Sequence, residues 1–339
     1  MPPWSLSGVL AVVVGLTSLV SPAAPSDRTK ARVSACPTES VPAVIAGKYV
    51  CLKQGQACKK LLDGQYRIYG FRCNRARLTR LPNSTILSAI VDVGGYRLAM
   101  LCRGTGAPTV VMESGFGWSG WIFSRVQAKL AKTARTCIYD RAGLGVSESR
   151  KPPGPVPAAR VADDLHALLT GAGIKPPYVL GGWSLGGFFI RLYAKHYPDE
   201  VLGLVTLDGT PLGLPPGSPD IMIIGRESFD LGPADVEVAA APSLGARPLV
   251  VVTHGGDPSQ DPNEAMWVRF QKQVARLSTS SILVRADTSG HSIASDQPNL
   301  TAEAFRQVIA AVRLRGALPV CAATPLPRLH GTCLDPNSP

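Results

Sequence analysis

Charge is scarce in this sequence. Asp, Glu, Lys and Arg make up 17% of its 339 residues, against 45% hydrophobic residues. A chain of this balance can bury a sizeable core, and its composition excludes intrinsic disorder. Negative charge is the scarcer sign, with 24 Asp and Glu against 35 Lys and Arg. The excess is mostly local: between Lys30 and Arg80, eleven basic residues face only Glu39 and Asp63. Such a patch fits a solvated surface, or contact with an anionic envelope or polymer. No nucleic-acid partner is expected from this patch. No apolar run reaches the ~20 residues that span a bilayer. The apolar stretch from Leu6 to Val20, followed by the small residues Ser21, Ala23 and Ala24, reads as an export signal over residues 1–24. No Lys or Arg precedes that stretch, and an uncleaved membrane anchor is the alternative. P-loop, HExxH and dinucleotide-binding motifs are missing, as is any internal repeat. No metal and no cofactor is expected.

The eight cysteines all lie outside the apolar stretch. No His sits among the first four, and Cys51 and Cys58 are too far apart for a close pair of zinc ligands. In an exported chain, disulfides are the natural reading. Cys36, Cys51, Cys58 and Cys73 crowd into one short segment with little core of its own, so residues 36–80 read as a module stapled by two disulfides. Four cysteines allow three pairings, and the sequence does not choose among them.

From about Ser88 the pattern changes. LSAIVDVGGYRLAMLCRG reads as two strands around a Gly-Gly turn. TVVMESG, TCIYD, YVLGGWS, LGLVTLD, PLVVVTH and SILVRAD follow as short apolar strands. Helical patterns fall between them, at residues 119–133, Ala158–Leu169, GFFIRLYAKHY, Glu264–Leu277 and Ala302–Leu314. Strands alternating with helices predict an α/β fold: a mostly parallel central sheet with helices on both faces. Residues 209–247 are too long for a plain connection and read as a lid. The chemistry-bearing motif is Gly182-Trp183-Ser184-Leu185-Gly186, a G-x-S-x-G between a strand and a helix. A turn this tight requires small residues two before and two after the Ser, and it exposes the hydroxyl at the sheet's carboxyl edge.

With this motif in that context, the chain from about Ser88 to Leu314 resembles the α/β-hydrolase family of serine hydrolases. VVMESGFG is similar to the loop after the third strand that supplies an oxyanion donor. YDRAGLGVSE is similar to the D-R-x-G-x-G-x-S segment, and SGHSIASDQP to the late segment that carries the catalytic His. The resemblance implies residues 88–315 as the hydrolase domain and 316–339 as a tail. It implies Ser184 as nucleophile and His291 as general base, following the order Ser, acid, His. His291 is favoured over His254, which also ends a strand at that edge, and over His166, His196 and His330 elsewhere. Asp257, after PLVVVTHGG, stands where the family most often carries its acid. Asp208, one strand earlier, is the alternative. Asp140 and Asp287 are weaker candidates, and Asp140 is expected to fix its loop. The backbone N–H groups of Phe116 and Leu185 are the expected oxyanion donors. Most relatives carry His-Gly where this chain has Ser114-Gly115. Trp183 and Trp118 are candidate walls of a substrate pocket, and Trp121 is expected in the core. The family's second and fourth strands are antiparallel neighbours, which implies a Cys102–Cys137 disulfide and leaves Cys321–Cys333 to close the tail.

The expected function is an exported serine hydrolase that cleaves an ester or related acyl bond through an acyl-enzyme. Amidase, peptidase or perhydrolase activity is the alternative within enzymes. Outside them, the alternative is an inert fold targeted to an envelope polymer by the cysteine module.

Overall fold

The computed structural model describes residues 36–37, 39–46, 48–81, 85–211, 221–232, 243–256 and 262–338. The export signal read at residues 1–24, and Asp257, lie outside the described residues.

The cysteine module consists of two hairpins around a short helix. β1 (Val41–Ile45) pairs antiparallel with β2 (Lys48–Leu52). Then come α1 (Asp63–Ile68), β3 (Phe71–Asn74) and β4 (Arg77–Arg80), the last two antiparallel. Leu52, Tyr66, Phe71 and Leu78 form its small core. Disulfides Cys36–Cys51 and Cys58–Cys73 join neighbours in chain order, each across 15 residues. A cross-link closing a loop of that length removes denatured-state freedom worth about 3 kcal/mol in the chain-entropy account. That offsets the weakness of so small a core. The module packs on the rest of the chain, with Ser88 Oγ donating to the Pro42 carbonyl at 2.7 Å.

The remaining elements alternate as expected. In chain order they are β5 (Ile86–Asp92), β6 (Arg97–Arg103), β7 (Thr109–Glu113), α2 (Ser124–Leu130), β8 (Thr136–Asp140), β9 (Val156–Pro157) and α3 (Ala159–Gly171). There follow β10 (Tyr178–Trp183), α4 (Leu185–His196), β11 (Val201–Leu207), β12 (Ile221–Ile224) and β13 (Glu227–Asp230). The last are β14 (Leu249–His254), α5 (Pro262–Ala275), β15 (Ser281–Ala286), α6 (Ile293–Asp296), α7 (Pro298–Leu314) and β16 (Gly331–Leu334). Among the described residues one sheet holds nine strands, in the order β16-β15-β14-β11-β10-β7-β8-β6-β5. The run from β15 to β8 is parallel, and β16, β6 and β5 are antiparallel to their neighbours. β7 and β10, near the middle, are buried along their whole length, which is why they read as continuous apolar runs. Leu165 of α3, Phe188 of α4 and Val274 of α5 pack on one face. Val126 of α2 and Phe305 and Val308 of α7 pack on the other.

Cys102 and Cys137 are direct partners in the β6–β8 register and are disulfide-bonded. Cys321–Cys333 is also formed. The tail does more than close a loop, because β16 adds a strand to the sheet with Cys333 opposite Val284. GTCL is too short to show a period in the sequence. The stretch read as a lid contains the antiparallel hairpin β12–β13, and β13 also pairs with β9. Trp121 corrects the expectation of core packing, since it is 47% exposed. Residues Gly120–Phe123 form a 3-10 turn, which puts Phe123 inward and Trp121 outward. Trp121 instead lines a cavity of about 530 Å³ between the module and the sheet, with Pro42, Tyr69, Ile90 and Leu101.

Candidate active site

Ser184 sits between β10 and α4 with φ +53° and ψ −124°, a left-handed conformation that a non-glycine residue adopts only when its surroundings impose it. The crowding explains both flanking glycines. A Cβ on Gly182 would lie 2.3 Å from the Gly186 carbonyl oxygen, and one on Gly186 would lie 2.4 Å from that of Glu113. The Ser184 backbone is pinned on both sides: its N–H donates to the Leu207 carbonyl at 3.0 Å, and its carbonyl accepts from Gly187 and Thr210. Leu185 is the first residue of α4, where N–H groups have no partner within the helix and the helix dipole is positive.

Phe116 lies in the turn after β7. Ser114 Oγ donates to the Trp118 carbonyl at 2.5 Å, and Gly117 takes φ +74°. Beneath this turn lies fully buried Arg141. Its guanidinium donates to the carbonyls of Ser114 (2.6 Å) and Gly115 (2.8 Å) and pairs with Glu113 (2.5 Å) and Glu227 (2.7 Å). Glu227 also accepts the Gly117 N–H at 2.8 Å, and Tyr139 donates its hydroxyl to Glu113. Burial pushes the Glu113 carboxyl above the usual carboxylate range. The two carboxylates raise Arg141 against its own burial, so the guanidinium stays charged. Phe229, two residues after Glu227, packs at a tilt against Phe116 (5.9 Å) and edge-on against Phe189 (5.1 Å). Part of the predicted lid is therefore keyed into the floor of the turn that carries Phe116. Asp140 fixes its loop as expected, accepting from the N–H groups of Gly120 and Val146.

At the ends of β11, β14 and β15 the structure brings Asp208, His254 and His291 together. His291 Nδ1 lies 2.6 Å from Asp208 Oδ2. Asp208 is fully buried, has φ +49° and also accepts the indole N–H of Trp267 at 2.6 Å. Burial would raise its carboxyl, but the hydrogen bonds and charges of His254 and then His291 outweigh that and bring it down to about 2. Of the two candidate acids, Asp208 is thus the one seen against His291. His254 has a carboxylate at each ring nitrogen, which leaves none free to take a proton from Ser184. The His291 side chain is half exposed.

Trp183 is buried, and its indole N–H donates to the His291 carbonyl at 2.6 Å. The residue before Ser184 is thereby tied to His291. Trp118, 52% exposed, packs edge-on against Trp183. His166 stacks on Tyr197, and His196 lies 3.9 Å from Asp163. His330 occupies a left-handed turn before β16, and Asp287 pairs with Arg285. None of these joins the Asp208 cluster. No group of three or more His, Cys, Asp or Glu side chains suited to a metal occurs among the described residues.

A sequence model of the family described as the alpha/beta hydrolase fold matches residues 108–231, the span that contains the oxyanion turn and the Ser184 elbow. The chain has the α/β-hydrolase fold, and residues 108–231 are similar to that family. The uncharacterized protein YqjL of Bacillus subtilis is 26% identical over 213 residues, covering 58% of this hydrolase and 82% of YqjL. The pimeloyl-[acyl-carrier protein] methyl ester esterase of Chromobacterium violaceum is 36% identical over 106 residues, 31% of this hydrolase and 38% of that esterase. The solved structure of a thermophilic esterase from Thermogutta terrifontis has a TM-score of 0.51 at 22% identity, over 67% of this hydrolase and 99% of that chain.

Sequence reasoning missed Arg141, Glu227, Glu264 and Trp267 as members of this cluster, and weighed His254 only as a rival base rather than as a partner of Asp208. Arg141 stands in the D-R-x-G segment and was within reach. A lone Glu inside a long insertion carries no local signal. His254 and Asp208 both end strands, but only the strand order makes those strands neighbours.

Proposed function

We propose that this hydrolase cleaves carboxylic esters by acyl transfer. Ser184 is the nucleophile, His291 the general base and acid, and Asp208 the carboxylate that orients His291. The observation that carries this reading is the 2.6 Å contact between His291 Nδ1 and buried Asp208, on a His whose carbonyl is bonded to the residue before Ser184. A carboxylate at Nδ1 holds the tautomer whose Nε2 can take the serine proton, and it stabilises the imidazolium that forms. The serine oxygen then attacks the ester carbonyl. The charge on the carbonyl oxygen develops against the N–H groups of Leu185 and Phe116. The alcohol leaves with the proton carried by His291. Water, deprotonated by the same His, attacks the acyl-enzyme and releases the acid and Ser184.

Exposed Trp118, and Ile224 beside Gly117, border the oxyanion turn with apolar surface, which favours an ester with an apolar acyl group. Esterases occur among both the sequence relatives and the structural neighbours. We further propose that the chain is exported, its four disulfides being suited to an oxidising compartment. Exposed Lys53, Lys59, Arg72, Arg75 and Arg77 would let the module contact anionic envelope material.

The test is labelling of the folded protein by a fluorophosphonate, alongside hydrolysis of p-nitrophenyl esters. Labelling that disappears in Ser184→Ala and in His291→Ala supports the reading. A folded wild type that neither labels nor hydrolyses these esters overturns it and brings forward the inert binding protein.

A further inference from the structure

Asp208 receives more donors than an orienting carboxylate requires. Its Oδ2 accepts His291 Nδ1 at 2.6 Å and also His254 Nδ1 at 2.7 Å. Its Oδ1 accepts the Trp267 indole at 2.6 Å and the His254 backbone N–H at 3.2 Å. The far nitrogen of His254, Nε2, lies 2.9 Å from Glu264 Oε2 on α5. A neutral imidazole has one N–H and one lone pair. With an ionised carboxylate at each nitrogen, a neutral ring would turn its lone pair on one of them. Only the doubly protonated ring donates to both.

We propose that His254 is a positioning residue, held as an imidazolium between Asp208 and Glu264, and that its fixed charge keeps the shared carboxylate from over-stabilising protonated His291. The inference rests on the reading of Ser184, His291 and Asp208 as the catalytic set. Two imidazoles bonded to one oxygen lie close together, and a cation so near opposes a second positive charge. His291 must be neutral to accept the serine proton. A nearby cation that persists through neutral pH therefore extends the working range of the base toward lower pH. His254 also holds both oxygens of Asp208, Oδ2 through its ring and Oδ1 through its backbone N–H.

The charges around His254 are accounted for on each packed element. Asp208 follows β11, Glu264 and Trp267 lie on α5, and His291 lies in the loop after β15. At the end of β15, Arg285 and Asp287 pair with each other at 3.0 Å, and Arg285 also reaches the Gly256 carbonyl at 3.5 Å. Burial alone would push His254 down, but Asp208 and then Glu264 overcome it and lift the ring to about 9.

The experiment compares wild type with His254→Gln, His254→Lys and Glu264→Gln in the full chain. It follows kcat/KM for a p-nitrophenyl ester and the rate of fluorophosphonate labelling from pH 4 to 10, with circular dichroism confirming the fold. His254→Gln keeps a donor for Asp208 but removes the charge. Its acid limb should move up by about one pH unit, a roughly tenfold loss of rate below the wild-type midpoint with little change on the plateau. His254→Lys restores a cation and should bring the limb back toward the wild type. A folded His254→Gln that loses rate equally at every pH overturns the proposal and leaves a structural role. If His254→Gln does not fold, the charge is read directly from histidine side-chain nitrogen shifts in the wild type, assigned with Glu264→Gln. An imidazolium at pH 7 supports the proposal, and a neutral ring overturns it. Failure of the catalytic set itself appears separately, as labelling that survives Ser184→Ala.

Discussion

The two halves of the active edge are held by different forces. Around Ser184, position is imposed by backbone crowding. Gly182 and Gly186 have no room for a Cβ, and the serine is driven into a left-handed conformation between a buried strand and a helix N-terminus. Around His291, position is imposed by charge. One buried carboxylate gathers two imidazoles and an indole from three different elements. Steric constraint barely responds to solvent, whereas hydrogen-bonded ions respond to pH. The half that carries Ser184 is thus rigid by construction, and the half gathered around Asp208 is tunable. The turn that carries Phe116 lies between these extremes, since its shape is backbone but its support is the buried Arg141, Glu113 and Glu227 cluster.

Four measurements would break or sharpen this contrast. The largest effect falls on the steric side. Ser184→Ala should lower kcat on the order of 10⁶-fold while leaving the melting temperature equal or higher, because a strained functional residue is relieved of its role but not of its packing. On the charged side, Asp208→Asn should cost about 10⁴-fold in kcat, since the amide holds the wrong tautomer of His291. Asp257→Asn should cost far less. The reverse ranking in steady-state kinetics would move the acid to Asp257. Glu227→Gln leaves Arg141 short of one partner and slackens the turn that carries Phe116. It should lower kcat by about 10–10²-fold, below the full loss of an oxyanion donor, with KM little changed. It should also cost about 3 kcal/mol in a denaturant titration, the penalty of breaking a buried ion pair.

The smallest effect is the pH dependence of stability. Asp208 is lowered to about 2 from an ordinary 3.8, so its contribution is complete above about 4 and is lost as pH falls through 2. His254 is raised from 6.5 to about 9, so its contribution is complete below about 6.5 and is lost as pH rises through 9. The melting temperature should therefore peak between these limits and fall by about a few degrees on the alkaline side. His254→Gln should flatten that alkaline fall, and a fall of unchanged size in calorimetry would assign it to other groups.

Much of the site was legible before the structure. GGWSLGG states the elbow outright, because the steric rule acts on adjacent residues. The hydrolase strands appeared as short apolar runs because the central ones are buried on both faces. The charged half was legible only as a choice, Asp257 or Asp208, each a carboxylate after a strand. Chain order alone does not say which strand ends face His291. Trp121 was misread because a helical period was applied to a 3-10 turn. Glu227 was not read at all, since its partners Gly117 and Arg141 lie far from it in sequence.

By itself, then, the sequence determined what depends on near neighbours. That covers the cysteine-crowded module, the alternation of strands and helices and the Ser184 elbow, whereas the Cys102–Cys137 link was implied by the family resemblance. The tertiary structure alone decided what depends on which strand ends meet. It joined Asp208 with His254, Glu264 and His291, set Glu227 under the oxyanion turn and added β16 to the sheet. The physical reason is range. Steric exclusion acts within a few bonds and leaves its mark in adjacent residues, while a buried charge takes its partners from wherever the fold brings them.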